Sequence, residues 1–310
     1  MGHFIKKEMK EMKEIGQQYS KDDKTDPTGF LKRARLHQSK FRAETLNLDF
    51  DTYGNYLTKT DGEAGKNFYD SFGIFKAVKK YRKYNKPLYS NMLRSEHIPF
   101  NLFIPLNDNK TLGKEIFNEF LGGVIQTIDT IEIEYAPKPK EKYLYDGTSF
   151  DTYIEYTHID NSKGIIGIEV KYTEKEYKLT KDSKQEKDIK DKNSKYYSVT
   201  EKCGLYKPNS IELLPTDKFR QVWRNHILGE SILLADSDKF QHFTSLTIFP
   251  KENKHFIHTS NDYIDLLIDN KNKFIPLTYE DFFIACDKHC TTKDYKEWLN
   301  YLTKRYIVTV

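Results

Sequence analysis

The sequence predicts an α/β protein in which a mixed central β-sheet is flanked by helices and preceded by a helical N-terminal extension. Three observations predict it. Residues 149–174, SFDTYIEYTHIDNSKGIIGIEVKYTE, read as two strands joined by a turn, with Asp160, Asn161, Ser162, Lys163 and Gly164 supplying the turn chemistry. Just upstream, a helical pattern opening at Thr111 precedes a strand in which Ile131, Ile133 and Tyr135 alternate with Glu132 and Glu134. Elsewhere apolar residues recur at helical spacing, as with Phe30, Ala34, His37 and Phe41.

In chain order, residues 1–26 are rich in Lys and Glu and suit a helix or loose leader, punctuated by Pro27-Thr28-Gly29. A helix is expected over Phe30–Leu46 and a second, basic and aromatic, over Lys66–Tyr84. In the second, Phe68, Phe72 and Phe75 face inward, and Lys76, Lys79, Lys80, Arg82 and Lys83 stay outside. Pro87 breaks that pattern, and a short helix over Tyr89–His97 ends near Pro99. Thr111 caps a helix running to about Ile125, and a strand ends at Pro137. After the 149–173 hairpin, Glu174–Lys202 is highly charged and poor in apolar residues. It reads as a mobile surface excursion or a Lys-rich arm near the site. Thr216 or Asp217 caps a helix to about Leu234, whose buried stripe is Phe219, Val222, Trp223, His226 and Ile227, with Gln221, Arg224 and Asn225 on another face. Phe243–Phe249 is a strand, Tyr263–Ile268 leads to an extended stretch at Lys273–Leu277, and Thr278 with Asp281 opens a further helix. Asp294–Tyr306 is the next helix, and no internal repeat is evident.

The alternation in the hairpin carries chemistry. Phe150, Thr152, Ile154 and Tyr156 share one face with Ile166, Ile168, Val170 and Tyr172, which gathers Asp151, Glu155, Glu169 and Lys171 on the other. A one-residue slip would bury charge, so the pattern sets the register parity. Such a patch can be a solvated face with a cross-strand ion pair, worth under ~1 kcal/mol. It can also be a magnesium site: hard cations take carboxylate oxygens, and a lysine beside them can orient water and offset charge on a phosphate.

The order Asp151, then Glu169-Val170-Lys171 on a hairpin, resembles the PD-(D/E)XK nuclease superfamily, although Ser149-Phe150 stand where the proline of the name would be. GIIGIEVKYTE after TSFDTYIEY is similar to the core of bacterial restriction endonucleases of that superfamily. So are Leu93-Arg94-Ser95-Glu96-His97-Ile98-Pro99-Phe100-Asn101-Leu102-Phe103, Glu134-Tyr135-Ala136-Pro137, and Gln221-Val222-Trp223-Arg224-Asn225-His226, which resembles its Gln-bearing helix. The matches are scattered from about His37 to Leu234. The resemblance implies a restriction-endonuclease-like core over residues 111–310, with residues 1–110 as a helical region that contacts DNA.

Composition is permissive. The chain has 310 residues, enough for a sizeable core, and its net charge of +4 excludes a histone-like polycation. The three cysteines, Cys203, Cys286 and Cys290, argue against a disulfide scaffold and for a reducing, cytoplasmic setting. Cys286, His289 and Cys290 fall short of a four-ligand zinc site. The opening residues lack the apolar run of a signal peptide, and no stretch reaches the roughly 20 apolar residues of a membrane span. Walker A, GxGxxG and GxSxG patterns are absent.

These readings lead to a metal-dependent endonuclease that hydrolyses DNA phosphodiester bonds in restriction or defence. Its resemblance-based site has Asp151 and Glu169 on Mg²⁺, for which Mn²⁺ substitutes, and Lys171 acting on water. Glu134, Glu119 and Glu155 compete as auxiliary acids, and Gln221 orients the site. Lys79, Lys80, Arg82 and Arg224 are candidate nucleic-acid contacts. The expected partners are DNA, a second copy of the chain and a cognate methyltransferase. The alternatives are a non-catalytic nucleic-acid-binding protein that keeps the fold, or a DNA repair or RNA nuclease.

Overall fold

The computed structural model describes residues 26, 28–176, 179–181 and 183–308. The Lys/Glu-rich leader, apart from Asp26, lies outside them. Helix α1, Phe30–Lys40, continues into a wider π turn over Phe41–Thr45. It is followed by α2 (Lys59–Glu63), α3 (Ile74–Tyr81), α4 (Lys86–Ser90), α5 (Ile98–Asp108) and α6 (Lys110–Leu121). Strand β1 spans Ile125–Tyr135, β2 Phe150–His158 and β3 Lys163–Val170. Then come α7 (Lys184–Lys190), α8 (Lys195–Cys203), α9 (Arg220–Ala235), β4 (His242–Phe249), α10 (Lys254–Ile264), β5 (Phe274–Thr278), α11 (Tyr279–His289) and α12 (Lys293–Tyr306).

The five strands lie in the order β1-β2-β3-β4-β5. The first two pairings are antiparallel and the last two parallel, so the sheet is mixed as expected. Helices cover both faces. One core gathers Phe30, Ala34, Ile98, Phe103, Phe117, Ile154, Ile168, Val170, Ile248, Phe282, Trp298 and Tyr306. Residues before and after position 111 thus share a single apolar layer. The other core gathers Phe150, Tyr153, Ile165, Tyr196, Trp223, Ile227, Phe243 and Tyr263.

Several expected elements are corrected, each for a local reason. The helix expected over Lys66–Tyr84 is confined to α3, because Gly65, Phe72 and Gly73 all take positive φ and break the helical run before Ile74. Pro99 opens a helix instead of closing one: in the first turn of α5 its missing N–H costs nothing. Asn109, not Thr111, caps α6, accepting the Leu112 N–H at 3.0 Å. The charged stretch after Glu174 contains α7 and α8, and buried Tyr196, Tyr197 and Val199 seat α8 against α9. Thr278 caps α11 with Asp281 as its partner: its side chain accepts the Asp281 N–H at 3.1 Å and its hydroxyl donates to the Asp281 carboxylate at 2.6 Å. Phe150 does not share the face of Ile154 and Tyr156. Its ring lies over Gly167, where a Cβ would sit 2.3 Å from it, and stacks near Tyr153 and Phe243.

Helix α9 is drawn tightly onto the sheet at Gly229, where a Cβ would meet the Phe243 ring at 2.0 Å. Both partners are buried, so neither can yield to solvent. Gly229→Ala is therefore expected to destabilise the protein by about 1–3 kcal/mol, the usual range for overpacking. A chemical-denaturation series should show a lower midpoint; an unchanged midpoint would mean the interface relaxes freely.

Candidate active site

The site forms where β2 and β3 part. Their ladder ends at the Thr152–Ile168 pair, and the next donor, the Val170 N–H, goes to the Asp151 carboxylate at 2.7 Å instead of to a backbone carbonyl. On its other side β3 stays locked. The Lys171 N–H donates to the Ile248 carbonyl at 2.8 Å, and the Tyr279 hydroxyl donates to the Lys171 carbonyl at 2.6 Å. Alternation then sends Glu169 and Lys171 to the same side, where their side chains form an ion pair. Both are nearly withdrawn from water, at 8% and 5% exposure.

Helix α9 finishes the arrangement. Gln221 and Asn225, four residues apart, share one helix face. The Gln221 amide donates to Glu169 Oε1 at 2.7 Å, and the Asn225 amide donates to Oε2. Oε1 also accepts from Lys171, so it is Oε2 that keeps a lone pair for another partner. Asp151, Glu169, Gln221, Arg224 and Asn225 line a cleft of about 550 Å³, together with Asp146 on the β1–β2 connection.

The electrostatics follow from this crowding. Burial, and then the charge of Glu169, push the Asp151 carboxyl well above its ordinary pKa, against the pull of Lys171 and the Val170 N–H. Burial alone would lower the pKa of Lys171, but Glu169, Asp151 and Glu174 outweigh it, and the ammonium is held above the usual lysine range. Glu174 also fastens the site to the N-terminal helices. It accepts the Tyr172 N–H and the Ser95 N–H, both at 2.8 Å, and Thr173 reaches the Leu93 carbonyl at 3.2 Å. The Leu93–Phe103 motif thus abuts the strand segment that carries Lys171.

The other residues singled out from the sequence fall in three places. Glu134, next to last in β1, takes a left-handed φ of 55°, a rare conformation for a side chain of its size. It pairs with Arg82 and adds to the field that raises Asp151. Lys79 and Lys80 are exposed in the last turn of α3, just before Arg82. Arg224 borders the cleft but is tied to Asp146 at 2.7 Å and to Thr148, and lies over the Tyr196 ring. Glu155 lies outside the cleft, bound to the Tyr153 hydroxyl at 2.9 Å and to Lys239 at 3.2 Å. Glu119 lies elsewhere again, on α6, paired with Lys288 at 2.7 Å and His289 at 2.9 Å. His289 is thereby engaged, and Cys286 and Cys290 are buried, free thiols.

Asn225, Asp146 and Glu174 were not among the residues to which the sequence pointed as site groups. Only Asn225 left a signal there: its four-residue offset from Gln221 puts both amides on one face.

Because the folded Asp151 has a raised pKa, its contribution to stability is complete at low pH and is lost as pH rises through that value. Asp151→Asn preserves an acceptor for the Val170 N–H and removes the charge. In chelator-treated protein, D151N is expected to melt higher than wild type at pH 8, by on the order of 2 °C, with the gap narrowing at pH 5. A gap that widens toward low pH would contradict the crowding described above.

The sequence model of the PD-(D/E)XK nuclease superfamily matches residues 21–308. No curated protein and no solved structure matches the chain. The family match spans nearly the whole chain, including the strand pair that carries Asp151, Glu169 and Lys171 and the helix that carries Gln221, and the chain belongs to the PD-(D/E)XK nuclease superfamily.

Proposed function

We propose that the protein is a divalent-metal-dependent endonuclease that cuts DNA in restriction or defence. The observation that carries this reading is that Asp151 and Glu169 line one cleft, with Lys171 paired to Glu169 and with Gln221 and Asn225 holding the glutamate. The donor set suits magnesium. It offers two carboxylates with lone pairs to spare, and no protein donor reaches the second Asp151 oxygen among the described residues. Bound between Asp151 and Glu169, Mg²⁺, or Mn²⁺ in its place, would polarise the scissile phosphate and lower the pKa of a water.

The chain's own groups do the rest. Lys171 stays protonated and offers its ammonium to the attacking water and to the charge that builds on the phosphate. Gln221 and Asn225 fix the Glu169 carboxylate so that it need not reorganise during the reaction. Lys140 and Lys184 border the cleft and suit the flanking phosphates. Arg82 restrains Glu134, and the exposed Lys79 and Lys80 in the turn just before it are proposed to contact the duplex. One such site cuts one strand, so a double-strand break takes two copies of the chain, related by a two-fold axis like that of the duplex.

Supercoiled plasmid with Mg²⁺ tests the reading, since nicked and linear products separate single from paired action. Lys171→Ala is expected to reduce cleavage at least about 100-fold while duplex binding stays within a few-fold. Cleavage by K171A at the wild-type rate would remove the lysine from the mechanism.

Lys79→Ala with Lys80→Ala tests the basic surface without disturbing Arg82. Duplex affinity should weaken, and the slope of log affinity against log salt should flatten by about 0.9 for each phosphate that is no longer neutralised. An unchanged slope would leave α3 as a solvated helix face.

A further inference from the structure

At the opposite end of β3 from Glu169, roughly 20 Å along the strand at about 3.3 Å per residue, three side chains meet that the cleft does not use. His158 closes β2, Asp160 sits in the hairpin turn, and His242 opens β4. The turn brings them together: the His158 N–H donates to the Ser162 carbonyl at 2.9 Å, and Asn161 takes a left-handed φ of 69°. The parallel register then sets His242 beside Gly164. One ligand-capable atom from each of the three residues lies within 4.8 Å of the others.

Two ring nitrogens, a hydroxyl and a carboxylate converge here. His158 Nδ1 is 2.9 Å from Asp160 Oδ1 and also 3.3 Å from the Asp160 N–H, which donates to it. His242 Nε2 lies 3.6 Å from Asp160 Oδ2 and 2.8 Å from the Ser162 hydroxyl. That hydroxyl also donates to Asp160 Oδ1, so toward His242 it acts as acceptor, for the Nε2–H tautomer. The two imidazole rings stack at 4.2 Å, too close for both to carry charge cheaply. A cation among the three residues would take the place of these protons and bind both imidazoles and the carboxylate together. The group is open to solvent, with Asp160 55% exposed and His242 35%.

The geometry points to a second metal centre, a zinc-class site formed by His158, Asp160 and His242, with the Ser162 hydroxyl or a water as fourth donor. Two imidazoles and one carboxylate favour zinc or a similar first-row ion over magnesium, which prefers oxygen donors. The centre would tie the β2–β3 turn to the start of β4, and so brace the strands that carry the cleft residues at their far end.

The test is a zinc titration of the full, metal-stripped chain in competition with a chromophoric chelator. It is run on wild type, His242→Gln, Asp160→Asn and the cleft double variant Asp151→Asn/Glu169→Gln. We expect one tight zinc site per chain that persists in the cleft variant and weakens at least about 10-fold in H242Q and D160N. Zinc at 100 times its dissociation constant should raise the wild-type melting temperature by about 3–4 °C. Should H242Q fold poorly, D160N decides alone, because Asp160 is exposed. Absence of tight zinc binding in wild type, or undiminished binding in D160N, overturns the proposal. Zinc lost only in the cleft variant also overturns it. None of these outcomes bears on whether the cleft cuts DNA.

Discussion

Three ionisable groups crowded together at the point where two strands separate, two of them withdrawn from water, set the terms for the rest of this protein. Two carboxylates placed close together in a poorly hydrated site repel each other, and the Lys171 ammonium is what allows both to be present. An unpaired charge there would cost several kcal/mol, so each partner must be held in place. The sheet holds Lys171 through the Ile248 carbonyl, α9 holds Glu169 through two amides, and the Val170 N–H holds Asp151. The departure from ladder pairing at Asp151 opens the cleft, and the same departure satisfies the donor left over.

Supports behind these contacts reach across the chain. Asn253 donates to the carbonyls of Tyr172 and Glu174, and Gln38 donates to the Tyr172 hydroxyl. Buried Arg305 joins Asn67 and His97, and Trp298 and Tyr306 both bond to Asn101. The segment just after Lys171 is therefore gripped by α1, the α4–α5 connection, the β4–α10 turn and α11. Packing alone would leave these buried polar groups unsatisfied; the network makes their placement specific.

Much of this was legible in the sequence because strand alternation has a period of two and tolerates no slip. Ile154, Tyr156, Ile166 and Ile168 on one side dictated that Glu169 and Lys171 share the other. The mixed sheet followed from a hairpin beside separate later strands. What the sequence hid has physical causes. Phe150 changed sides because Gly167 leaves a vacancy over the opposite face, a consequence of cross-strand pairing. Glu119 and Glu155 looked like candidates because an acid's neighbours in space are unknown until the helices pack; each is bound to a lysine elsewhere. The expected polar face of the hairpin is half covered by α8 and α9, and the charge-rich composition between Glu174 and Lys202 gave little hint that Tyr196 and Tyr197 would bury there.

The apolar layer shared by Phe30, Val170 and Tyr306 has a consequence for synthesis on the ribosome. Lys171 emerges some 135 residues before Tyr306, roughly 7–27 s earlier at about 5–20 residues per second. Until α12 arrives, Asn67, His97 and Asn101 lack their partners on that helix, and the core behind β3 is open. A nascent chain thus carries the cleft residues well before it can organise them. The organisation of the cleft therefore waits for residues remote from it in the chain.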